Sequence, residues 1–181
     1  MAKRKINKVG LTCCALCTVL GFGLGWTVEP LHPAEKKEDV KTTYIDVPLS
    51  QGMQIHISEL CADNNVPVAL AYSIIDHESN FNADAESDTA DYGLMQINAI
   101  MRQEVGEDVD LLNPYQNVKV GIELLGKYWE ETEGDVNKVA MMYNMGVTGA
   151  RKAWSDKVHS TKYSKSVVSN YEMYEDMLNA K

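Results

Sequence analysis

The sequence predicts a mainly α-helical protein with one domain of ordinary size. Apolar residues recur at helical spacing almost throughout the chain from about Tyr44 onwards, and the sequence lacks convincing period-two alternation. The composition is 45% hydrophobic and 24% charged over 181 residues, which is typical of a globular chain long enough for one self-supporting core. At most, a short β ribbon is expected in the loop between Asn82 and Gly93.

The N-terminal residues 1–28 are predicted to be a membrane anchor or a signal peptide. Residues 9–28 carry no formal charge, and as a helix they would be about 30 Å long, enough to cross a bilayer core. The basic residues before them predict an N-terminus in the cytoplasm and export of the rest of the chain to the cell envelope. The length of the run favours an uncleaved anchor. Gly23-Leu24-Gly25 has the spacing of a signal-peptidase site, so secretion after cleavage is the alternative.

The residues that follow are predicted to be a linker. Residues 29–43 contain two prolines and seven charged side chains, a composition typical of a solvated tether. The domain is then predicted to occupy residues 44–181. Cys61 is the only one of the four cysteines within it, so no disulfide can form inside the exported domain.

Start and stop signals divide this domain into helices joined by short turns. Capping residues and prolines mark the starts, and glycine or paired asparagines mark the ends. The first helix ends near Asn64-Asn65, the second starts at Pro67 and leads to Glu78, a short third follows Asn98, the fourth runs from Asn113-Pro114 to about Glu131, the fifth starts after Gly134-Asp135 and ends at Gly146, a sixth covers 150–154, and the last covers 163–178.

Glu78 lies on the apolar side of the second predicted helix. Leu70, Ala71, Ile74 and Ile75 precede it at helical spacing, so its carboxyl continues their stripe. Desolvation disfavours the charged form of a carboxylate and raises its pKa, which suits a general acid near neutral pH. A helix-end glutamate that points back to water is the alternative, and Glu78 taken alone favours it.

Charge and spacing exclude several other classes of function. Beyond the four basic residues in the first eight positions, the chain has 13 basic and 26 acidic residues, and this net charge of −13 argues against nucleic acid as a partner. His77-Glu78 begins like a zinc-protease helix, but Phe81 occupies the position of the second histidine. The acidic loop has Ala90 and Ala99 where an EF-hand needs ligands. We therefore predict no metal site and no cofactor.

Four short motifs remain, in order along the chain: Glu78-Ser79-x-Phe81, the run Gly-Leu-Met-Gln-Ile-Asn at 93–98, Tyr143-Asn144-x-Gly146, and Tyr163. Together they resemble the motifs of the soluble lytic transglycosylases, which are similar to goose-type lysozyme. The resemblance spans the chain from about Tyr44 to the C-terminus. It implies a lysozyme-like fold and peptidoglycan glycan strands as the substrate. Asp91-Tyr92 resembles the small transglycosylases attached to secretion, conjugation or phage systems, which implies an envelope complex as a partner.

The resemblance also implies a reaction, cleavage of the β-1,4 bond between N-acetylmuramic acid and N-acetylglucosamine. Glu78 would protonate the glycosidic oxygen. As a carboxylate it would then accept the proton of the muramoyl C6 hydroxyl while that oxygen closes on C1, which leaves a 1,6-anhydro end. Ordinary glycosidases need a second carboxylate, and Asp76 faces the opposite side of the helix. An internal nucleophile removes that need.

Substrate-binding roles are implied for six further residues: Ser79, Met95, Gln96, Tyr143, Asn144 and Tyr163. Ser79 would contact the glycan or brace the loop, with an incidental helix-end serine as the alternative. Met95 and Gln96 would line the groove, with a core methionine and a capping glutamine as alternatives.

The remaining three residues would act close to the reacting sugars. Tyr143 and Asn144 would flank the scissile bond, and Tyr163 would hydrogen-bond Glu78 and hold its rotamer.

Two other functions remain open from the sequence. One is a goose-type muramidase, in which Asp84, Asp88 or Asp91 activates a water molecule for hydrolysis. The other is a non-catalytic glycan-binding or assembly protein that keeps the fold as a scaffold. The ends produced in digested peptidoglycan distinguish these possibilities: anhydro ends, reducing ends or no new ends.

Overall fold

The computed structural model describes residues 43–105 and 109–180, and over these ranges the chain is mainly α-helical as predicted. The N-terminal segment 1–28 and most of the linker 29–43 lie outside the described residues. Within the described ranges, no helix is both long and apolar enough to cross a membrane. The helices are α1 (Gln51–Asp63), α2 (Val68–Ser79), α3 (Ala99–Val105), α4 (Pro114–Glu131), α5 (Val136–Ser155) and α6 (Lys162–Asn179).

Local capping explains why the helices begin where they do. The Asn113 side chain accepts hydrogen bonds from the backbone N–H groups of Tyr115 and Gln116, and Pro114 fills the first position, where its missing N–H costs nothing. Thr161 forms a capping box at the start of α6. These signals lie within a few residues of each boundary, so the predicted starts of α4 and α6 are confirmed to within a residue or two.

Helix α2 lies in the core of the molecule. It packs against α1 and α6, while α5 packs against α4 and α6. Every residue from Ala69 to Ile75 is buried. The last turn of the helix is closer to solvent than this buried stretch, and that turn carries Glu78.

Gly146 interrupts α5. Its φ of 71° and ψ of 162° are not helical, and the helix resumes directly after it. A residue with a side chain rarely adopts this positive φ, which is why glycine occupies the position. The predicted stop at Gly146 and the predicted short helix after it are therefore both confirmed, as two segments of α5.

The loop between α2 and α3 reverses the chain sharply after Glu78. Asn80 and Phe81 both have left-handed φ angles, 49° and 63°. Phe81 is buried and its ring contacts that of Tyr174 edge-on, which offsets the unfavourable backbone conformation. The β ribbon expected here is reduced to two isolated antiparallel bridges, from Tyr92 to Glu86 and to Ile97.

Candidate active site

A small cleft opens at the C-terminal end of α2. Its volume is about 150 Å³. Residues from α2, α5 and the α2–α3 loop meet there, together with the start of α3. The lining residues are Glu78, Asp91, Gln96, Asn98, Met101, Tyr143 and Asn144.

The carboxyl group of Glu78 is largely withdrawn from water. Its pKa is raised from an ordinary value of 4.5 to about 7, because burial disfavours the carboxylate. A hydrogen bond from Tyr163 lowers this pKa and the negative charge of Asp91 raises it, but burial dominates. Glu78 can therefore both give and take a proton near neutral pH.

Tyr163, at the second position of α6, donates a hydrogen bond from its hydroxyl to Oε1 of Glu78. Burial and the neighbouring Glu78 carboxylate raise the pKa of Tyr163 well above its ordinary value, so the phenol keeps its proton. The ring of Tyr163 is held edge-on by His77, with centroids 4.5 Å apart. His77 in turn lies 3.2 Å from the Ser166 hydroxyl. The hydrogen bond expected between Tyr163 and Glu78 is thus present.

Asp91 is the second carboxylate of the cleft. The hydroxyls of Ser87 and Thr89 donate to its Oδ2 at 2.7 and 2.5 Å, and Asn98 donates to its Oδ1 at 2.9 Å. Burial alone would raise the pKa of Asp91, but these three hydrogen bonds outweigh it and lower the pKa below its ordinary value. The two carboxyl groups of one cleft therefore have pKa values shifted in opposite directions.

Four consecutive backbone carbonyls, of residues 92–95, accept hydrogen bonds from side chains of the surrounding structure. This fixes the loop beside Glu78 against three helices, because the donors come from α2, α4 and α5 as well as from the loop itself. The pairs are Asn117 to Tyr92 at 2.6 Å, Gln96 to Gly93 at 3.1 Å, Ser79 to Leu94 at 2.8 Å, and Tyr143 to Met95 at 2.8 Å.

Residues 56–167, more than half of the chain, match the family described as the transglycosylase SLT domain. This chain belongs to that family. The matched segment begins within α1 and ends within α6, so it contains Glu78, the loop that Ser79 and Tyr143 clamp, and Tyr163.

Solved structures share the lysozyme-like, all-helical fold of this SLT domain. An inactive mutant of lytic transglycosylase Slt from Pseudomonas aeruginosa is 19% identical, with a TM-score of 0.61 over 74% of this chain and 25% of that chain. The complex of the 70-kDa soluble lytic transglycosylase with bulgecin A is 18% identical, with a TM-score of 0.63 over 73% of this chain and 25% of that chain. The Escherichia coli 70-kDa soluble lytic transglycosylase is 18% identical, with a TM-score of 0.60 over 72% of this chain and 25% of that chain. Our chain thus spans about a quarter of the length of these proteins.

Ser79 lies behind the cleft of the SLT domain. Its hydroxyl is 2.8 Å from the carbonyl oxygen of Leu94 and 3.1 Å from that of Ile75 in the preceding helical turn. It is absent from the cleft lining. Of the roles considered from the sequence, these contacts fit the bracing of the loop.

Met95 does not line the groove, and that expectation is wrong. Its side chain has no exposed surface. The thioether occupies the space that Gly121 of α4 leaves open, since a Cβ atom at Gly121 would lie 2.3 Å from the Met95 sulfur. Only the backbone of Met95 takes part in the site, through the carbonyl that accepts from Tyr143.

Gln96 does line the cleft, in a left-handed conformation with φ of 47°. Its Nε2 donates to the carbonyls of Gly93 and Ala85 at 3.1 and 3.2 Å. Because both partners are carbonyl oxygens, the side-chain oxygen is the atom that can accept from a ligand.

Tyr143 and Asn144 also line the cleft, but in different ways. Tyr143 is 7% exposed, and its hydroxyl is used by the Met95 carbonyl. Asn144 is exposed at the rim, so its side chain is accessible to a ligand. Of these two residues, Asn144 is therefore the one whose side chain can hydrogen-bond a bound sugar.

Reasoning from the sequence missed Asn117, which is fully buried in α4. Its Oδ1 accepts from the Met95 backbone N–H at 2.9 Å, and its Nδ2 donates to the carbonyls of Tyr92 and Leu111. The sequence did contain a signal for it: Asn117 lies at helical spacing with Gly121 and Tyr128, which places its polar side chain on the inner face of α4.

Asn98 and Met101 were not proposed individually either, although both line the cleft. Within residues 43–105 and 109–180, no group of three or more His, Cys, Asp or Glu side chains is arranged to hold a metal ion.

Proposed function

We propose that this SLT domain is a lytic transglycosylase that cleaves peptidoglycan glycan strands. The bond would be the β-1,4 linkage from N-acetylmuramic acid to N-acetylglucosamine, and the product would be a 1,6-anhydro end. The observation that carries the proposal is Glu78, a carboxyl with pKa about 7 that lies in an open cleft and is held by Tyr163. The solved structures of the same fold are described as lytic transglycosylases, and one of them contains bulgecin A.

In the proposed reaction Glu78 moves both protons. Tyr163 occupies Oε1 of Glu78, which leaves the other oxygen for the substrate. Protonated Glu78 first donates to the glycosidic oxygen, and the electron pair of the C1–O bond leaves with N-acetylglucosamine. The resulting carboxylate then removes the proton of the C6 hydroxyl while O6 bonds to C1. No water is consumed, and the carboxyl is regenerated in its starting form.

A hydrolytic muramidase is the second candidate. Asp91 favours it, because it is the one of the three loop aspartates considered for that role that lines the cleft. In that reaction water would attack C1 and Asp91 would accept its proton, which gives a reducing end instead of an anhydro end.

The test is digestion of purified peptidoglycan sacculi by the wild-type protein, by Glu78→Gln and by Asp84→Asn, an exposed acid on the following loop. We expect the wild type and Asp84→Asn to release soluble fragments with anhydro ends, identified by mass spectrometry. Glu78→Gln is expected to reduce release by at least about a hundredfold, because the carboxyl that donates the proton is lost. Release by Glu78→Gln within tenfold of the wild type would remove Glu78 from the mechanism, and reducing ends would establish the muramidase.

We also propose that the domain acts in the cell envelope, held at the cytoplasmic membrane by the N-terminal segment and associated with a secretion, conjugation or phage-related complex. The uncharged run at 9–28 and its basic flank support attachment to the membrane. The resemblance of Asp91-Tyr92 to small transglycosylases of such systems supports the complex. The full chain is expected to fractionate with membranes at full mass. A soluble product beginning near Trp26 would instead indicate a cleaved signal peptide.

A further inference from the structure

Asp91 is held in the cleft by a set of donors that its own loop and the start of α3 supply. Ser87 and Thr89 donate to one carboxylate oxygen and Asn98 to the other. The Ser87 hydroxyl also accepts from the backbone N–H of Asp91 at 3.1 Å and from that of Thr89 at 3.2 Å. We refer to Ser87, Thr89 and Asn98 as the Asp91 cradle.

The orientation of Asn98 in the cradle follows from its second role. Its Oδ1 accepts from the backbone N–H groups of Ile100 and Met101, both at 3.0 Å, at the start of α3. Since the oxygen is used there, the amide nitrogen must face Asp91. The cradle therefore presents three donors to Asp91, and donors stabilise the ionised carboxylate over the protonated one.

The described residues that line the cleft around Asp91 carry no positive charge. The titratable groups that line the cleft with it are Glu78 from α2 and Tyr143 from α5, and Asn98 and Met101 on the α3 side are uncharged. Among the described residues that line this cleft, none is Lys, Arg or His. The negative charge of Asp91 raises the pKa of Glu78.

We propose that Asp91 is a second catalytic carboxylate of this SLT domain, which stays ionised and stabilises the positive charge that develops at C1 of the muramoyl residue. This rests on the proposed glycan cleavage, in which the C1–O bond breaks with its electron pair leaving on oxygen. Asp91 moves no proton and forms no bond. Glu78 performs both proton transfers, and O6 closes on the cation that Asp91 stabilises. Two carboxyl groups whose environments separate their protonation states match this division of roles.

The first test compares Asp91→Asn with Asp88→Asn, an exposed aspartate on the same loop that does not line the cleft. We expect Asp91→Asn to lower the rate of glycan cleavage by about tenfold to a thousandfold while retention on sacculi stays close to wild type. The alkaline limb of its pH–rate profile should move to lower pH, because the charge that raises the pKa of Glu78 is gone. Asp88→Asn should leave the rate and the limb unchanged.

A second variant covers the possibility that Asp91→Asn fails to fold. Thr89→Val keeps the carboxylate and removes one donor, so the pKa of Asp91 should rise and the acid limb should move to higher pH while the alkaline limb stays in place. If the cradle had only a structural role, Thr89→Val would shift neither limb of the pH–rate profile. Equal rates for Asp91→Asn and Asp88→Asn, or an unmoved acid limb in Thr89→Val, would overturn the inference. Absence of cleavage by the wild type would instead overturn the proposed function.

Discussion

At Glu78 three physical effects act on one proton, and two of them raise the pKa. Burial and the Asp91 charge favour the protonated carboxyl, while the Tyr163 hydrogen bond favours the carboxylate. Tyr163 therefore does not keep Glu78 protonated near neutral pH, which the first step requires. Its contribution must be geometric, because the bond fixes which carboxyl oxygen faces the cleft through both proton transfers.

This argument predicts the behaviour of Tyr163→Phe. Loss of the hydroxyl should lower the cleavage rate by about tenfold to a thousandfold, because Glu78 is no longer held in the reactive rotamer. Retention on sacculi should change little, since the ring remains. The alkaline limb of the pH–rate profile should move to higher pH, because the bond that lowered the pKa of Glu78 is lost. Turnover and sacculus binding measured across pH would test all three expectations.

Tyr171→Phe is the matched control for that prediction. Tyr171 lies on the same helix, and its hydroxyl donates to Glu175 at 2.6 Å, outside the cleft. Its loss should leave cleavage unaffected. If Tyr163→Phe behaved like Tyr171→Phe, the phenol would be a core group without a catalytic contribution.

At the scale of elements, the site depends on the clamp around residues 92–95. A loop without regular secondary structure must satisfy its backbone groups individually, and here side chains from three helices do so. Gly93 lies close to the Asn117 side chain. It has φ of +72°, and a Cβ atom there would lie 2.6 Å from Nδ2 of Asn117.

Gly93→Ala should therefore destabilise the fold by about 2–4 kcal/mol, from the positive φ together with displacement of Asn117. Gly52→Ala is the control, since the nearest atoms to its Cβ lie at 3.7 and 4.0 Å in the first turn of α1. That change should be neutral or stabilise by up to about 1 kcal/mol. Urea unfolding of the two variants against the wild type gives both values. Equal midpoints for the two variants would show that the clamp does not depend on close approach at Gly93.

The sequence predicts features with local causes, but it does not predict contacts between distant parts of the chain. The start of α4 and the break at Gly146 were predictable, because their causes lie within a few residues of each position. The burial of Met95 was not, since Gly121 sets it from another helix. The Asn117 contacts bridge 22 and 25 residues for the same reason. Tyr163 bonds Glu78 across 85 residues, and only the family resemblance indicated that pairing.

At the scale of the whole molecule, a buried acid is a cost that the rest of the core must offset. Glu78 lies in the last turn of a helix whose residues from Ala69 to Ile75 are buried, and that packing holds its carboxyl away from water. Such a site trades stability for activity. The buried environment that raises the pKa of the carboxyl also destabilises the folded state when that carboxyl is charged.

The pH dependence of unfolding should reveal this cost. The pKa of Glu78 is about 7 in the folded protein against an ordinary 4.5, so the folded state binds more protons between these values. Stability from this group is fully present below pH 4.5 and is lost as pH rises through 7. Glu78→Gln cannot titrate, so it should match the wild type near pH 4 and exceed its stability by on the order of 2–3 kcal/mol at pH 8.

Urea unfolding at the two pH values, with Glu86→Gln as an exposed control on the following loop, isolates the contribution of Glu78. The control should follow the wild type at both pH values. If Glu78→Gln also ran parallel to the wild type, the Glu78 carboxyl would be solvated in the folded protein. It would then lack the raised pKa on which its action as an acid near neutral pH depends. A stability gain confined to high pH would instead link the loss of activity in Glu78→Gln to removal of a buried, titrating carboxyl.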